Sequence, residues 1–287
     1  MELVLNDSTK LPFRFEVLDN SIEIINADER IKVNEITYAG DSVYIKMPLF
    51  DSEFRMLTSL NHSYMKGYFI NHARLDKNII AARGGVKNSA FEVPVTPTFD
   101  ISGRWEVHFA GDEPPLDLSV GEFKQNGNHL TGTFLTSTGD YRYLEGIATK
   151  DWFELSAFDG SHLFYFNGTY LDDGSISGNF YSGMHWHDTW IASRDESVQL
   201  PNPDSLTFLK TGYDRVAFTF PDVDSNAVSL SDTKFQNKVV IVQIMGTWCP
   251  NCMDETQFLA PYYAKNKDHG LEIIGLDYER IAKFEIG

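Results

Sequence analysis

Between Leu11 and Arg194 the chain consists of short runs of alternating apolar and polar residues, and Gly, Asp or Asn interrupts them about every 8–12 residues. Alternation places successive side chains on opposite faces of a strand, so this region predicts antiparallel strands. The clearest stretch begins at Gly103, and its Asn126-Gly127 and Asp159-Gly160 pairs suit two-residue hairpin loops. The pattern predicts a mainly β region, a sandwich or an up-and-down meander barrel.

The β region also repeats itself. Residues 67–83 and 178–194 align without gaps, and the shared positions are Gly67/Gly178, Phe69/Phe180, Ile80/Ile191, Ala81/Ala192 and Arg83/Arg194. We interpret the region as two related antiparallel β units, residues 1–95 and 96–198, joined by the proline-bearing stretch VPVTPTF. The alternative is a chance similarity, because β hairpins share glycines and aromatic residues in any case.

The composition changes after residue 198. A polar, proline-marked connector is followed by VVIVQIM, a run rich in β-branched residues that predicts a strand buried on both faces. One face of a predicted helix then carries Phe258, Leu259, Tyr262 and Tyr263, and LEIIGLD predicts a second buried strand. Residues 199–287 therefore begin as a linker and continue as a strand-helix-strand unit.

The chain contains only 2 cysteines, Cys249 and Cys252, and both lie where the first of these strands meets the helix. A Cys-x-x-Cys pair alone also occurs in zinc sites, but here Trp248 precedes the pair and the pair opens a helix. The positive end of the helix dipole is expected to lower the pKa of the Cys249 thiol below the ~8.5 of free cysteine. Cys249 is then the predicted nucleophile, and Cys252 the residue that resolves a mixed disulfide. Pro250 suits the first helical position, because its missing N–H is not needed there.

GTWCPNC after VVIVQIM resembles the active site of the thioredoxin superfamily, and the wider segment resembles the extracytoplasmic thiol-disulfide reductases of the TlpA and ResA kind. The resemblance implies an oxidoreductase without a cofactor, whose partners are protein disulfide substrates and an upstream thiol donor. Glu255 matches an acidic residue that these reductases keep beside the cysteines, which implies help with proton transfer. A periplasmic or cell-envelope location is also implied, with a possible membrane tether through a removed N-terminal segment.

Two of the departures from this family pattern bear on function. Gln243 stands where cytosolic thioredoxins have a buried aspartate, so that proton route is absent. The fold also needs roughly 75 residues after its second cysteine, but the chain ends at Gly287. We therefore expect residues 199–287 to hold a linker and the N-terminal half of a thioredoxin-like domain, truncated at its C-terminus. The alternative function is a ligand- or protein-binding β module whose incomplete redox appendage is inactive.

Charge excludes one class of partner. The chain has 24 Lys+Arg against 41 Asp+Glu, a net charge of -17, which would repel the phosphate backbone of nucleic acids. His185 and His187 alternate onto one strand face beside Asp188 and could ligate a metal. A polar pair at a barrel rim is the favoured interpretation, and no metal is predicted, because no third ligand follows from the spacing.

Aromatic residues are frequent in the second β unit. They could line a ligand pocket, as in small calyx-shaped barrels, or they could pack in a core, which is the favoured interpretation. The tryptophans in question are Trp105, Trp152, Trp186 and Trp190.

Overall fold

The structure is a computed structural model, and it describes residues 1–74, 76, 78–86, 95–111, 118–246 and 249–278. The chain divides into two compact units, Met1–Asn202 and Pro203–Gly287. The first unit is built of antiparallel strands, and the second contains a parallel strand pair with one long helix. The predicted fold class, a mainly β region followed by an α/β segment, is confirmed.

The first unit begins with a meander of strands in two sheets. In the chain order these strands are β1 (Glu2–Val4), β2 (Lys10–Pro12), β3 (Arg14–Val17), β4 (Ile22–Asn26), β5 (Glu29–Val33), β6 (Glu35–Ala39), β7 (Ser42–Lys46), β8 (Ser52–Thr58), β9 (Tyr64–Asn71) and β10 (Ile79–Gly85). One sheet has the order β2-β1-β10-β9-β8-β7-β6, and the other has the order β3-β4-β5. Only Phe13 separates β2 from β3 and only Asn34 separates β5 from β6, so the chain crosses between the sheets at these residues.

The second part of this unit is a closed meander. Its strands are β11 (Gly103–Phe109), β12 (Leu118–Asn126), β13 (His129–Thr136), β14 (Gly139–Asp140), β15 (Leu144–Thr149), β16 (Trp152–Phe158), β17 (Leu163–Tyr170), β18 (Ile176–Ser182) and β19 (Trp186–Arg194). The sheet order is β12-β11-β19-β18-β17-β16-β15-β13-β14, and an additional pairing of β12 with β13 closes the ring. Closure leaves the strands of the ring without free edges, which explains why a meander of short strands is stable here.

Two hairpin loops differ from their predicted form. Asn126 pairs with His129, so the loop between β12 and β13 starts one residue later than expected. The loop between β16 and β17 is longer than two residues, because Phe158 pairs with Leu163. The Asp159 carboxylate accepts the backbone N–H groups of Ser161 at 2.8 Å and His162 at 2.7 Å, and these bonds stabilise the longer loop.

Aromatic side chains fill the interior of the barrel. Trp105, Phe134, Phe166 and Trp190 are at most 1% exposed. The Phe134 ring stacks on Phe166 with 4.3 Å between centroids and meets Trp190 edge-on at 5.2 Å. The core-packing interpretation is therefore confirmed for Trp105 and Trp190, whereas Trp186 is 53% exposed and lies outside this core.

The two parts of the first unit share a hydrophobic core. Phe158 of β16 is fully buried, and its ring lies 4.5 Å from Phe13, 5.5 Å from Phe54 and 5.2 Å from Phe69. Leu163 of the barrel belongs to the same cluster. Residues from both sides of the predicted 95/96 boundary thus pack together, and the division into units 1–95 and 96–198 stays a prediction.

Polar groups also join these two parts. The Asn26 side chain donates to the Phe158 carbonyl at 3.0 Å and accepts the Phe158 N–H at 3.0 Å, as a paired strand would. Arg14 donates to the Glu145 carboxylate at 2.6 Å, and the Glu145 side chain is only 4% exposed. Because the charge of Glu145 is paired, its burial does not leave an uncompensated ion.

Two glycines occupy corresponding places in the repeat. A Cβ at Gly67 or at Gly178 would lie 2.0 Å from a carbonyl oxygen of the preceding strand, so both sites need glycine for the close strand approach. The aligned isoleucines of β10 and β19 differ in exposure, since Ile80 is 4% exposed and Ile191 is 60% exposed. The hairpins differ in loop length, so the gapless alignment does not preserve facing in β10 and β19.

The second unit contains the predicted strand-helix-strand arrangement. Its elements are α1 (Pro203–Leu206), β20 (Thr219–Pro221), β21 (Ala227–Ser229), β22 (Val239–Met245), α2 (Pro250–Asn266) and β23 (Leu271–Asp277), with single 3-10 turns at Thr233–Phe235 and Lys267–His269. β22 and β23 are parallel and pair from Val239↔Leu271 to Met245↔Asp277. The prediction that both strands are buried is wrong, because Gln243 is the one buried residue of β22 and Leu271 that of β23, and the other residues of these two strands are half-buried or exposed. The connection through α2 is the crossover that parallel neighbours require. Within the described residues, none of the helices is both long enough and apolar enough to cross a membrane.

Candidate functional site

The two cysteines lie at the N-terminus of α2, directly after β22. Cys249 is the N-cap residue of α2, with extended φ and ψ of -97° and 106°, and the helix begins at Pro250. The Cys249 Sγ accepts the backbone N–H of Cys252 at 3.2 Å, and the Cys249 carbonyl accepts the N–H of Met253 at 3.1 Å. The sulfur therefore takes the capping place that a serine or aspartate oxygen usually has.

Cys249 and Cys252 form a disulfide, and their Cα atoms are 5.3 Å apart. This separation is close to the usual ~5.5–6 Å for bonded cysteines, so the pair closes within one helical turn. Both residues are half-buried rather than enclosed. The site thus combines a formed sulfur–sulfur bond with partial access from solvent.

The helix N-terminus sets the electrostatics of the pair. Helix dipoles and unpaired N–H groups favour negative charge at this end, and the Cys252 N–H already points at the Cys249 Sγ. The first turn of α2, residues 250–253, carries no acidic residue that would oppose this effect. In the reduced protein we therefore expect the negative charge to develop on Cys249.

A cluster of polar side chains lies beside the cysteines. The Gln243 side chain of β22 donates to the Cys252 carbonyl at 3.2 Å and to the Glu255 carboxylate at 2.9 Å. The Thr256 hydroxyl donates to the Cys252 carbonyl at 2.7 Å and lies 3.3 Å from the Gln243 side-chain oxygen. The Gln243 amide thus links the Cys252 carbonyl to the Glu255 carboxylate.

In the sequence, Gln243 is only a departure from the thioredoxin pattern, and the sequence does not predict its contacts. One signal was present, because Gln243 is the single polar residue in VVIVQIM. It is only 7% exposed, and a buried polar residue in an apolar strand needs hydrogen-bond partners. Trp248 lies outside the described residues, and Pro250 takes the predicted first helical position.

His185 lies in the turn before β19, so the prediction that it shares a strand face with His187 is wrong. His187 Nε2 lies 3.0 Å from Asn179 Oδ1, and the His187 ring stacks on Tyr181. The Asp188 carboxylate accepts the Gly111 N–H at 3.1 Å. Across the part of the chain that the structure describes, no three His, Cys, Asp or Glu side chains are grouped as a metal site.

Comparison with known proteins agrees with this geometry. Residues 212–285 match the model of the AhpC/TSA family. The thiol-disulfide oxidoreductase ResA of Bacillus subtilis is 32% identical over 69 residues, 24% of this chain and 37% of ResA. The ResA of Bacillus thuringiensis subsp. konkukian is 33% identical over 69 residues, 24% of this chain and 39% of that protein. The thiol:disulfide interchange protein DsbE of Pseudomonas aeruginosa is 30% identical over 78 residues, 27% of this chain and 41% of DsbE.

The chain thus spans about two fifths of the length of the curated relatives that it matches. Residues 212–285 are a thioredoxin-like segment, and the relatives that share it are thiol-disulfide oxidoreductases.

One solved structure covers more of the chain. It is a proposed outer membrane protein from Bacteroides fragilis, which covers 64% of this chain and 87% of its own length at 12% identity and a TM-score of 0.20. A TM-score of this size does not define a shared fold.

Proposed function

We propose that the protein exchanges disulfides with protein substrates through Cys249 and Cys252, acting as a reductase. The observation that carries the proposal is the bonded cysteine pair at the N-terminus of α2, directly after β22 of a thioredoxin-like segment. The family relationship supports the kind of chemistry, since ResA and DsbE are thiol-disulfide proteins by name.

The proposed reaction starts from the reduced pair. The Cys249 thiolate attacks one sulfur of a substrate disulfide, and the other substrate sulfur leaves with the electron pair of the broken bond. The Cys252 thiolate then attacks the Cys249 Sγ, which forms the internal disulfide and releases the second substrate thiolate. Two electrons pass to the substrate, and an upstream thiol donor must return them to the Cys249–Cys252 pair.

Three neighbouring residues have proposed supporting roles. Pro250 starts the helix and so keeps Cys249 at the N-cap, where the N–H of Cys252 faces its sulfur. Glu255 accepts the proton that Cys252 loses before its attack, and the hydrogen bonds of Gln243 to Glu255 and to the Cys252 carbonyl support this role. Trp248 belongs to the same motif and is included on the resemblance to thioredoxins.

The proposed location is the periplasm or cell envelope, with a possible membrane tether. The family resemblance supports it, as does the placement of both cysteines of the chain in one motif. Fractionation of cells that express the protein tests this location, and recovery in the cytosol would contradict it.

A ligand-binding role for the β region has less support. The interior of the barrel is occupied by stacked rings such as Phe134 and Phe166, so a calyx for a small molecule is not favoured. Such a module would have to bind its partner on an outer surface.

A trapping experiment tests the redox proposal. In Cys252→Ser, the mixed disulfide between Cys249 and a substrate cannot be resolved, so adducts that thiols reverse should accumulate with a disulfide-containing model peptide. The matched control is Cys249→Ser, which should form no such adduct. The proposal fails if Cys252→Ser forms no adduct while its Cys249 is reduced and accessible to an alkylating reagent.

A further inference from the structure

Gln243 is the polar residue of strand β22 that faces the start of α2. Its side chain contacts three groups there: the Cys252 carbonyl, the Glu255 carboxylate and the Thr256 hydroxyl. The residue is 7% exposed, whereas the next residue along the strand, Ile244, is 76% exposed. The strand therefore turns this one polar side chain inward, beneath the turn that carries the resolving cysteine.

The contacts determine how the Gln243 amide is oriented. The Cys252 carbonyl and the Glu255 carboxylate oxygen both accept from the Gln243 amide nitrogen, which has two hydrogens. The amide oxygen then faces the Thr256 hydroxyl at 3.3 Å. The reverse orientation would place the amide oxygen against two acceptors, and both hydrogen bonds of the Gln243 nitrogen to them would be lost, which is costly.

We propose that Gln243 is a positioning residue that holds the Glu255 carboxylate beside Cys252 for the resolving step. The proposal rests on the proposed function and deepens it. An amide neither gains nor loses a proton near neutral pH, so Gln243 acts through Glu255 and not as a proton carrier. Where thioredoxins use a buried aspartate, this chain uses a neutral anchor in the strand and an acid on the helix.

The step that depends on this arrangement is the attack of Cys252. The Cys252 thiol gives its proton to Glu255, and its sulfur bonds to the Cys249 Sγ while the bond between Cys249 and the substrate breaks. The departing substrate sulfur takes the electron pair and leaves as a thiolate, so no other oxidant or reductant is needed. A carboxylate that is free to rotate into solvent would accept this proton less often, because proton transfer requires a near-linear, short contact.

Rapid mixing of the reduced 287-residue chain with dithiobis(nitrobenzoate) separates the two steps. A first coloured thiolate is released when Cys249 attacks the reagent, and a second is released when Cys252 resolves the mixed disulfide. Rates of both releases are measured against pH for the wild type, Gln243→Leu, Glu255→Gln and the double variant. Gln257→Leu is the matched control, since Gln257 lies on the same helix and is exposed.

We expect Glu255→Gln to slow the second release about 100-fold near neutral pH, which is the lower end for general acid-base catalysis. Gln243→Leu should slow it about 10-fold, because Glu255 is retained but no longer held in place. The double variant should be no slower than Glu255→Gln alone. All rates should converge at high pH, where Cys252 ionises without help, and Gln257→Leu should match the wild type throughout.

Gln243→Asn provides a second test that does not depend on the fold of Gln243→Leu. This variant keeps an amide in the strand, but its side chain is one methylene shorter. We therefore expect a rate of the second release between the rates of the wild type and Gln243→Leu.

The outcomes separate this proposal from the proposed function. If the wild type releases only one thiolate, both fail. If the wild type releases two thiolates but Gln243→Leu and Gln243→Asn behave like Gln257→Leu, only the role of Gln243 is wrong. The same holds if Gln243→Leu slows the reaction equally with and without Glu255, or if its deficit persists at high pH.

Discussion

Phe158 is the residue whose removal best tests whether the two β parts of the first unit form one cooperative structure. It belongs to strand β16 of the barrel, but its ring packs on Phe13, Phe54 and Phe69 of the preceding meander, with centroid distances of 4.5–5.5 Å. It is 0% exposed. Phe158→Ala removes a whole ring from this shared core, and such substitutions cost about 3–5 kcal/mol in well-packed interiors. For a unit of this size, the expected fall in melting temperature is about 10 °C.

The measurement is urea unfolding with two local readouts. In a Trp248→Phe background, tryptophan fluorescence reports the barrel, since residues 1–95 contain no tryptophan and the other four lie in the barrel strands. Hydrogen exchange of backbone amides in β4 and β9 reports the preceding meander. We expect both readouts to shift together in Phe158→Ala, whereas the control Tyr38→Ala, with a ring 71% exposed, should change stability by less than about 0.5 kcal/mol. If the meander loses protection while the barrel transition stays where it was, the two parts unfold independently and the reasoning from the shared core is refuted.

Two further predictions concern the same unit. Gly178→Ala should destabilise the barrel by about 1–3 kcal/mol in urea unfolding, because the new Cβ would lie 2.0 Å from the Asn167 carbonyl oxygen; an unchanged midpoint would contradict this. Asp159 is expected to make the stability of the fold depend on pH. Burial raises the pKa of its carboxyl, but hydrogen bonds from His162 and Ser161 and the charge of Arg142 outweigh burial. The pKa of Asp159 therefore lies below its usual value. A lowered pKa in the folded state contributes stability above the unfolded value of about 3.9, and this contribution is lost as the pH falls through the folded pKa. Unfolding measured from neutral pH downwards should therefore show a smaller loss of stability in Asp159→Asn than in the wild type.

Much of the β architecture could be predicted because its signals are local. Alternating side chains in β16 and β18 identify strands, and the glycines between them identify turns. The lengths of the loops were harder to predict from the sequence. The loop after Phe158 is set by the hydrogen bonds of the Asp159 carboxylate, which compete with the two-residue turn that Asp-Gly favours.

The candidate site was predictable for a similar reason. Strand β22, the cysteine spacing and Pro250 at the helix start are all encoded within a short stretch. The contact of Gln243 with Glu255 was not predicted, because it depends on how the face of a strand meets the face of a helix. Spacing along the chain does not specify that orientation.

The sequence by itself determined that this protein is a β meander followed by a strand-helix-strand unit with a cysteine pair at the helix start. Those features follow from backbone preferences and from residues that are neighbours in the chain. Only the tertiary structure decided that β12 pairs with β13 to close the barrel, that Phe158 joins the core of the preceding meander, and that Gln243 reaches Glu255. These contacts depend on strand register and side-chain packing between segments far apart in sequence or on different elements, where many alternative pairings share the same local pattern.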